Sequence, residues 1–166
     1  MAGQSEAMIE KMQLRQGYRN VWHTDLTNAV AADLPWCCLS LWCGPCVSYM
    51  LRRRALYNDM SRYVCCAGYM PCSGKCGESQ CPEVCLATEV FCCFGNSVAS
   101  TRFLLQDEFN IQTTQCDNCI IGLLVYAGNC TSTFMSAQTQ HKVEMDKRDG
   151  TFSTMSVPPM QQMSRW

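Results

Sequence analysis

The chain has 166 residues, with 13 basic and 14 acidic side chains and a net charge of −1. That length fits one domain of ordinary size with a tail and excludes a large multi-domain machine. The near-neutral balance excludes nucleic-acid recruitment by net charge. Apolar residues make up 48% and charged residues only 16%, where an average soluble protein carries roughly 25% charged residues.

Cysteine is the outlier, with 15 residues, fourteen of them from Cys37 to Cys119. The first turns, MAGQSEAMIEKMQLRQ, carry Glu6, Glu10 and Lys11 and no apolar core. They argue against a secretory signal and for thiols in a reducing cytosol. The odd count also disfavours complete internal pairing.

Glu6 to Asp33 reads as helical, as two helices or one bent helix. Trp22, Leu26, Ala29 and Val30 make one stripe, with a shorter one at Met8, Ile9 and Met12 before Gly17. Pro35 is expected to end this element. Leu34 to Leu51, LPWCCLSLWCGPCVSYML, is an 18-residue run without charge, followed at once by Arg52, Arg53 and Arg54. By length it just reaches across a bilayer, but Pro35, Gly44 and Pro45 break it. A segment dipping into a membrane, with arginines at the anionic cytosolic surface, is one reading. A buried helix followed by a solvated basic turn is the other.

Met60 to Cys93 holds Cys65, Cys66, Cys72, Cys76, Cys81, Cys85, Cys92 and Cys93, interleaved with Pro71, Gly74, Gly77 and Pro82. Its first part has little chance of regular structure without cross-links or metal. Pro82 to Phe94 turns more apolar and helical, interrupted by Glu89. Ser97 to Asn110 is the clearest later helix: Val98, Leu105 and Phe109 share a face, Asn96 or Ser97 caps the start, and Asn110 suits the end. The apolar run from Cys119 to Cys130 is too short to span. Gln138 to Arg148 reads as a short helix, and Asp149 to Trp166 as a disordered tail. Three parts follow: an N-terminal helical segment at 1–34, a cysteine-rich helical domain at 35–148, and the tail at 149–166. The fold class is mainly α, with irregular central loops.

Trp42-Cys43-Gly44-Pro45-Cys46 matches the active-site pentapeptide of thioredoxins. That chemistry needs a strand directly before the motif, and an amphipathic helix precedes it here. Metal binding is better supported. Cys43/Cys46 and Cys116/Cys119 are C-x2-C pairs, Cys72/Cys76 and Cys81/Cys85 are C-x3-C pairs, and Cys76/Cys81 is C-x4-C. Such thiolates can share one soft cation such as zinc, cadmium or cuprous copper. The loop from Cys65 to Cys85 is the likeliest ligand donor, with Cys72, Cys76, Cys81 and Cys85 as its leading set, and buried free cysteines are the alternative. The neighbours Cys37-Cys38, Cys65-Cys66 and Cys92-Cys93 read as poor chelators within a pair. Cys37, Cys38, Cys92 and Cys93 lie in apolar sequence that suits S-acylation, with core packing the alternative.

Cys37-Cys38-x4-Cys43-x2-Cys46, followed by a basic helix start, resembles the signature of the placenta-specific gene eight-like cysteine-rich family. Asn58 to Tyr63, Gly68 to Cys72, Ser97 to Arg102 and Gln115 to Cys119 resemble its plant subgroup, kin of cadmium-resistance and cell-number-regulator proteins. The resemblance covers about Tyr18 to Ile121 and resumes over Gln138 to Gly150. It implies a small helical protein that associates with membranes, often with itself, and is linked to divalent-metal tolerance, calcium entry or control of cell number. It implies no catalytic residues. Members of the subgroup continue after Cys119 with a longer hydrophobic segment, which is shortened here as in a spliced or trimmed product.

The resulting expectation is a non-enzymatic protein at the cytosolic face of a membrane, the plasma membrane among the candidates. It becomes soluble and cytoplasmic if the shortening removes its membrane segment. Its cofactor is zinc or another soft divalent cation. A scaffold in growth control with purely structural cysteines is the alternative, and a dithiol oxidoreductase the remote one.

Overall fold

Proline and cysteine punctuate this chain into short helices. A computed structural model describes residues 2–68, 73–75, 77–115, 117, 119, 120, 122 and 131–152. Helix α1 is Ala2–Gln16, α2 Leu26–Ala32, α3 Leu34–Trp42, α4 Gly44–Ala55, α5 Pro82–Cys92, α6 Phe94–Phe109 and α7 Thr131–Phe152, with 3₁₀ turns at Met60–Arg62 and Cys65–Gly68. Among the described residues the only β pairing is an isolated bridge, Asn20 to Ile111. The protein is mainly α-helical.

The N-terminal stretch is two helices, and Trp22 stands outside both. Pro35 does not end an element. Asp33 caps α3 by accepting the Trp36 N–H at 3.1 Å, and Pro35 occupies the first turn, where its missing N–H costs nothing. Helix α1 leaves Ile9 and Leu14 exposed. It is held instead by Arg15, whose Nε and Nη2 donate to the two carboxylate oxygens of Asp107 at 2.6 and 2.7 Å. The guanidinium also lies 4.6 Å from the centre of the Phe103 ring.

The charge-free run is no straight helix. α3 and α4 meet at Cys43 with a bend of 119°, and α5 and α6 meet at Cys93 with one of 117°. Among the described residues no single helix is long and apolar enough to cross a membrane. α4 and α6 pack against each other, and α7 lies across α2, α3, α4 and α6. Val47, Leu51, Ala55, Leu105 and Met145 form one core, with Trp22 and Phe109 at its edge. Val98, Ala99, Phe134 and Ala137 form a second. Helix α6 starts at Phe94, earlier than Asn96 or Ser97; its N-cap is Cys93, and Ser97 is buried against Ser48. Asn110 closes it in the left-handed conformation, its N–H donating to the Gln106 carbonyl. Helix α7 runs through Asp149, past the expected end at Arg148, as far as Phe152. The rest of the C-terminal stretch lies outside the described residues.

Candidate metal centre

Glu89 is the charged residue that interrupts the apolar α5, and it faces inward, 5% exposed. A buried carboxylate needs partners. Oε2 accepts the Tyr63 hydroxyl and the Cys66 backbone N–H, both at 2.8 Å. Oε1 accepts the Ser100 hydroxyl at 3.3 Å. Burial, then the neighbouring Glu89, raises the Tyr63 phenol above its ordinary value, so it stays a donor.

The turn around Cys66 is backbone that L-residues rarely adopt. Cys66 has φ 48° and ψ 31°, and Ala67 φ 53° and ψ 26°. Each left-handed residue costs about 1 kcal/mol or more. The turn is held by Glu89 at the Cys66 N–H and by Ser73, whose hydroxyl donates to the Cys65 carbonyl at 2.7 Å. Neighbouring side chains on ordinary backbone point apart. Here the two sulfurs lie 3.9 Å apart. Cys65-Cys66, which reads from sequence as a poor chelating pair, is thus brought to a spacing that two ligands of one ion share. Both thiols and a Glu89 oxygen lie within 4.8 Å of one another, all buried. A tetrahedral zinc with bonds of about 2.3 Å separates two sulfurs by roughly 3.8 Å, so the spacing fits.

Charge fits as well. Two thiolates and a carboxylate would bring three negative charges into the interior. Arg52, 1% exposed, donates to the Ser100 hydroxyl at 3.0 Å and to the Val64 carbonyl at 3.2 Å. A divalent cation with this guanidinium would neutralise the set. Arg52 is therefore not a free basic residue, and neither is Arg54, which pairs with Asp146 at 2.7 Å and Asp149 at 2.5 Å. Of the triplet expected at an anionic surface, Arg53 alone is exposed.

The four-thiol loop is only partly described. Cys72 and Cys76 lie outside the described residues. Cys81 is exposed before α5, and Cys85 is half-buried against the Cys65, Cys66, Leu86 and Val90 cluster. Cys43 and Cys46 are joined by a disulfide, their Cα atoms 5.4 Å apart. In this form the two sulfurs are bonded to each other, and the reduced pair alone offers thiolates to a metal. Helix α3, not a strand, precedes them, so the setting of a thioredoxin pentapeptide is missing.

Cys116 lies outside the described residues and Cys119 is exposed. Between them Asp117 ion-pairs with buried Arg102. Its other oxygen accepts the Thr114 N–H at 3.0 Å, and its own N–H donates to the Thr114 hydroxyl oxygen at 3.2 Å. Of the acylation candidates, Cys37 is buried on the inner face of α3, whereas Cys38, Cys92 and Cys93 are exposed. Sequence reasoning missed Glu89 as a site residue. Its signal was a carboxylate in an otherwise apolar helix.

No family model matches the chain, and neither does any curated protein or solved structure.

Proposed function

We propose that this chain is a non-enzymatic, membrane-associated cysteine-rich protein that holds a soft divalent cation of the zinc or cadmium class. The observation that carries the reading is the buried Cys65, Cys66 and Glu89 set, with Arg52 behind it. The resemblance of the Cys37-Cys38-x4-Cys43-x2-Cys46 region to the placenta-specific gene eight-like family supports the same reading, and with it self-association at the cytosolic face of a membrane. The cation would hold the strained Cys65–Gly68 turn, since thiolates bind soft ions tightly enough to fold a short segment.

One observation favours a second reading, a growth-control scaffold with structural cysteines. Both Glu89 oxygens already have protein donors, so the carboxylate can hold the turn without an ion.

Native mass spectrometry of reduced protein separates the two. The metal reading expects bound zinc in the parent, weakened at least tenfold by Glu89→Gln and lost with Cys65→Ser plus Cys66→Ser. A parent without metal, whose melting temperature zinc leaves unchanged, overturns it in favour of the scaffold.

A further inference from the structure

The two bent helix pairs repeat one pattern fifty residues apart. Cys43 and Cys93 each end one helix and begin the next, at φ −137° and ψ 62° and at φ −129° and ψ 49°. On α3 the residues Leu34, Cys38, Leu41 and Trp42 are exposed. On α5 the residues Val84, Thr88, Phe91 and Cys92 are exposed. Both sets fall at i, i+4, i+7 and i+8, one helix stripe running to the bend. The two bends meet, for a Cβ at Gly44 would come within 3.0 Å of the Phe94 ring.

Beside their buried apolar core residues, these pairs also bury polar groups and expose large apolar ones. α3 buries Ser40 and exposes Leu39, Leu41 and Trp42, the last by 88%. α4 buries Ser48 and Arg52 and exposes Met50, while α5 buries Glu89 and exposes Val84 and Phe91, the latter by 67%. Water as the only surroundings favours the opposite arrangement.

We propose that the joined bends, with the outer stripes of α3 and α5, seat in the interfacial layer of a lipid bilayer. The proposal rests on the membrane association proposed above and names the surface that makes it. No charged residue lies between Leu34 and Leu51. On α5 the exposed charge is Glu83, at the far end from the bend. Charges thus sit at the bases of the arms and apolar groups at their joined tips. The hydroxyl of Thr88, the polar group on the α5 stripe, donates to the Val84 carbonyl at 2.9 Å. A hydroxyl turned onto its own helix suits hydrocarbon, where water is absent.

A protein partner would meet few hydrogen-bonding groups here, whereas protein interfaces average about one hydrogen bond per 100–200 Å². Arms of nine and eleven residues reach about 14 and 17 Å at 1.5 Å per residue. They are too short to cross about 30 Å of hydrocarbon, and the bends return the chain to the side it came from. Trp42 at the bend is the residue type enriched at that depth.

The test is flotation of the full chain with neutral phosphatidylcholine vesicles, with and without bound zinc. The parent is expected to float, and Trp42→Glu with Phe91→Glu to lower the bound fraction at least tenfold, while Arg53→Glu leaves it unchanged. Brominated phosphatidylcholine is expected to quench the parent's tryptophan emission and to lose most of that effect in Trp42→Phe, which keeps the apolar surface. A parent that floats together with an undiminished double variant and unquenched Trp42 overturns this surface but leaves membrane association standing. A parent that stays in solution overturns both. A dimer in light scattering that the double variant abolishes, without flotation, assigns the face to a second copy and overturns the proposal. Flotation unaffected by zinc leaves the metal reading to its own titration.

Discussion

Arg52 and Arg102 stand at the same step of the two bent helix pairs, nine residues past Cys43 and Cys93, and each is 1% exposed. Their partners differ. Arg52 meets neutral oxygens, the Ser100 hydroxyl and the Val64 carbonyl. Arg102 meets an anion, Asp117, with the Gln140 side-chain oxygen at 2.7 Å and the Trp22 ring centre 4.3 Å away. Burial lowers the Arg102 pKa and Asp117 opposes it. The difference teaches where interior charge is left over. In the second pair the cation is neutralised on the spot. In the first it remains for Glu89 and the two thiols, one hydroxyl away.

Removing each arginine's partnership is the strongest way to break this comparison. Asp117→Ala leaves Arg102 buried without its anion and is expected to cost about 3–5 kcal/mol, measured by urea unfolding. Arg52→Met removes hydrogen bonds to neutral groups and the cation nearest buried Glu89, and is expected to cost about 2–4 kcal/mol in metal-free protein. Its cost should grow once zinc is bound, because the cation set then lacks its counter-charge. Equal costs, unchanged by zinc, would show that Arg52 is an ordinary core residue.

The same contrast shows what the sequence makes legible. The helical class follows from apolar stripes and from punctuation by Pro35, Pro45 and Pro82. Asn110 marks the end of α6 because it tolerates left-handed backbone. Gly44 and Pro45 announced the break at the first bend, whereas the second was hidden, since Cys93 caps α6 without a side-chain bond while Asn96 and Ser97 are better caps by type. The Cys65-Cys66 juxtaposition was hidden for a related reason. It depends on positive φ at Cys66 and Ala67, and neither residue type announces it. Hydropathy reports which run is apolar. It does not report which face of the run turns outward, so the exposed stripes of α3 and α5 emerge only with the fold.

The contact between the bends offers a second, smaller test. Gly44 lies against the Phe94 ring, which packs on Phe134 with ring centres 4.8 Å apart. Gly44→Ala is expected to cost about 1 kcal/mol through crowding, despite the better helix propensity of alanine. Phe94→Leu in the same chain should recover part of it, seen as a coupling energy in a double-mutant cycle. Additive effects would mean that the bends do not share this contact.

The smallest expected effect concerns the far ends of the two pairs. Helix α4 stops at Ala55, and Asn58 is exposed at φ 59°. Helix α6 runs on to Phe109, so Glu108, fifty residues after Asn58, is still helical and accepts the Tyr57 hydroxyl. Burial pushes the Glu108 carboxyl from its ordinary 4.5 up to about 7; Arg148, 3.6 Å away, pulls it down, and Asp149 adds to the rise. A folded-state pKa above the unfolded one means that the fold prefers the neutral acid. That contribution is complete below pH 4.5 and is lost as pH rises towards 7. Partial exposure of the group keeps it to about 2 kcal/mol. Buried His141 has the opposite sign. Burial, with Arg102, holds it well below 6.5, so its contribution is present above that pH and lost as pH falls. The two slopes oppose each other in mildly acid solution, and the parent's curve alone does not separate them. The difference between parent and Glu108→Gln does. The variant is expected to gain relative to the parent between pH 4.5 and 7.5, measured as the urea midpoint at several pH values. Asn58→Asp, at the exposed equivalent position, should show no such pH-dependent gain. A Glu108→Gln difference that stays flat with pH would place the carboxyl in water and remove this distinction between the two pairs.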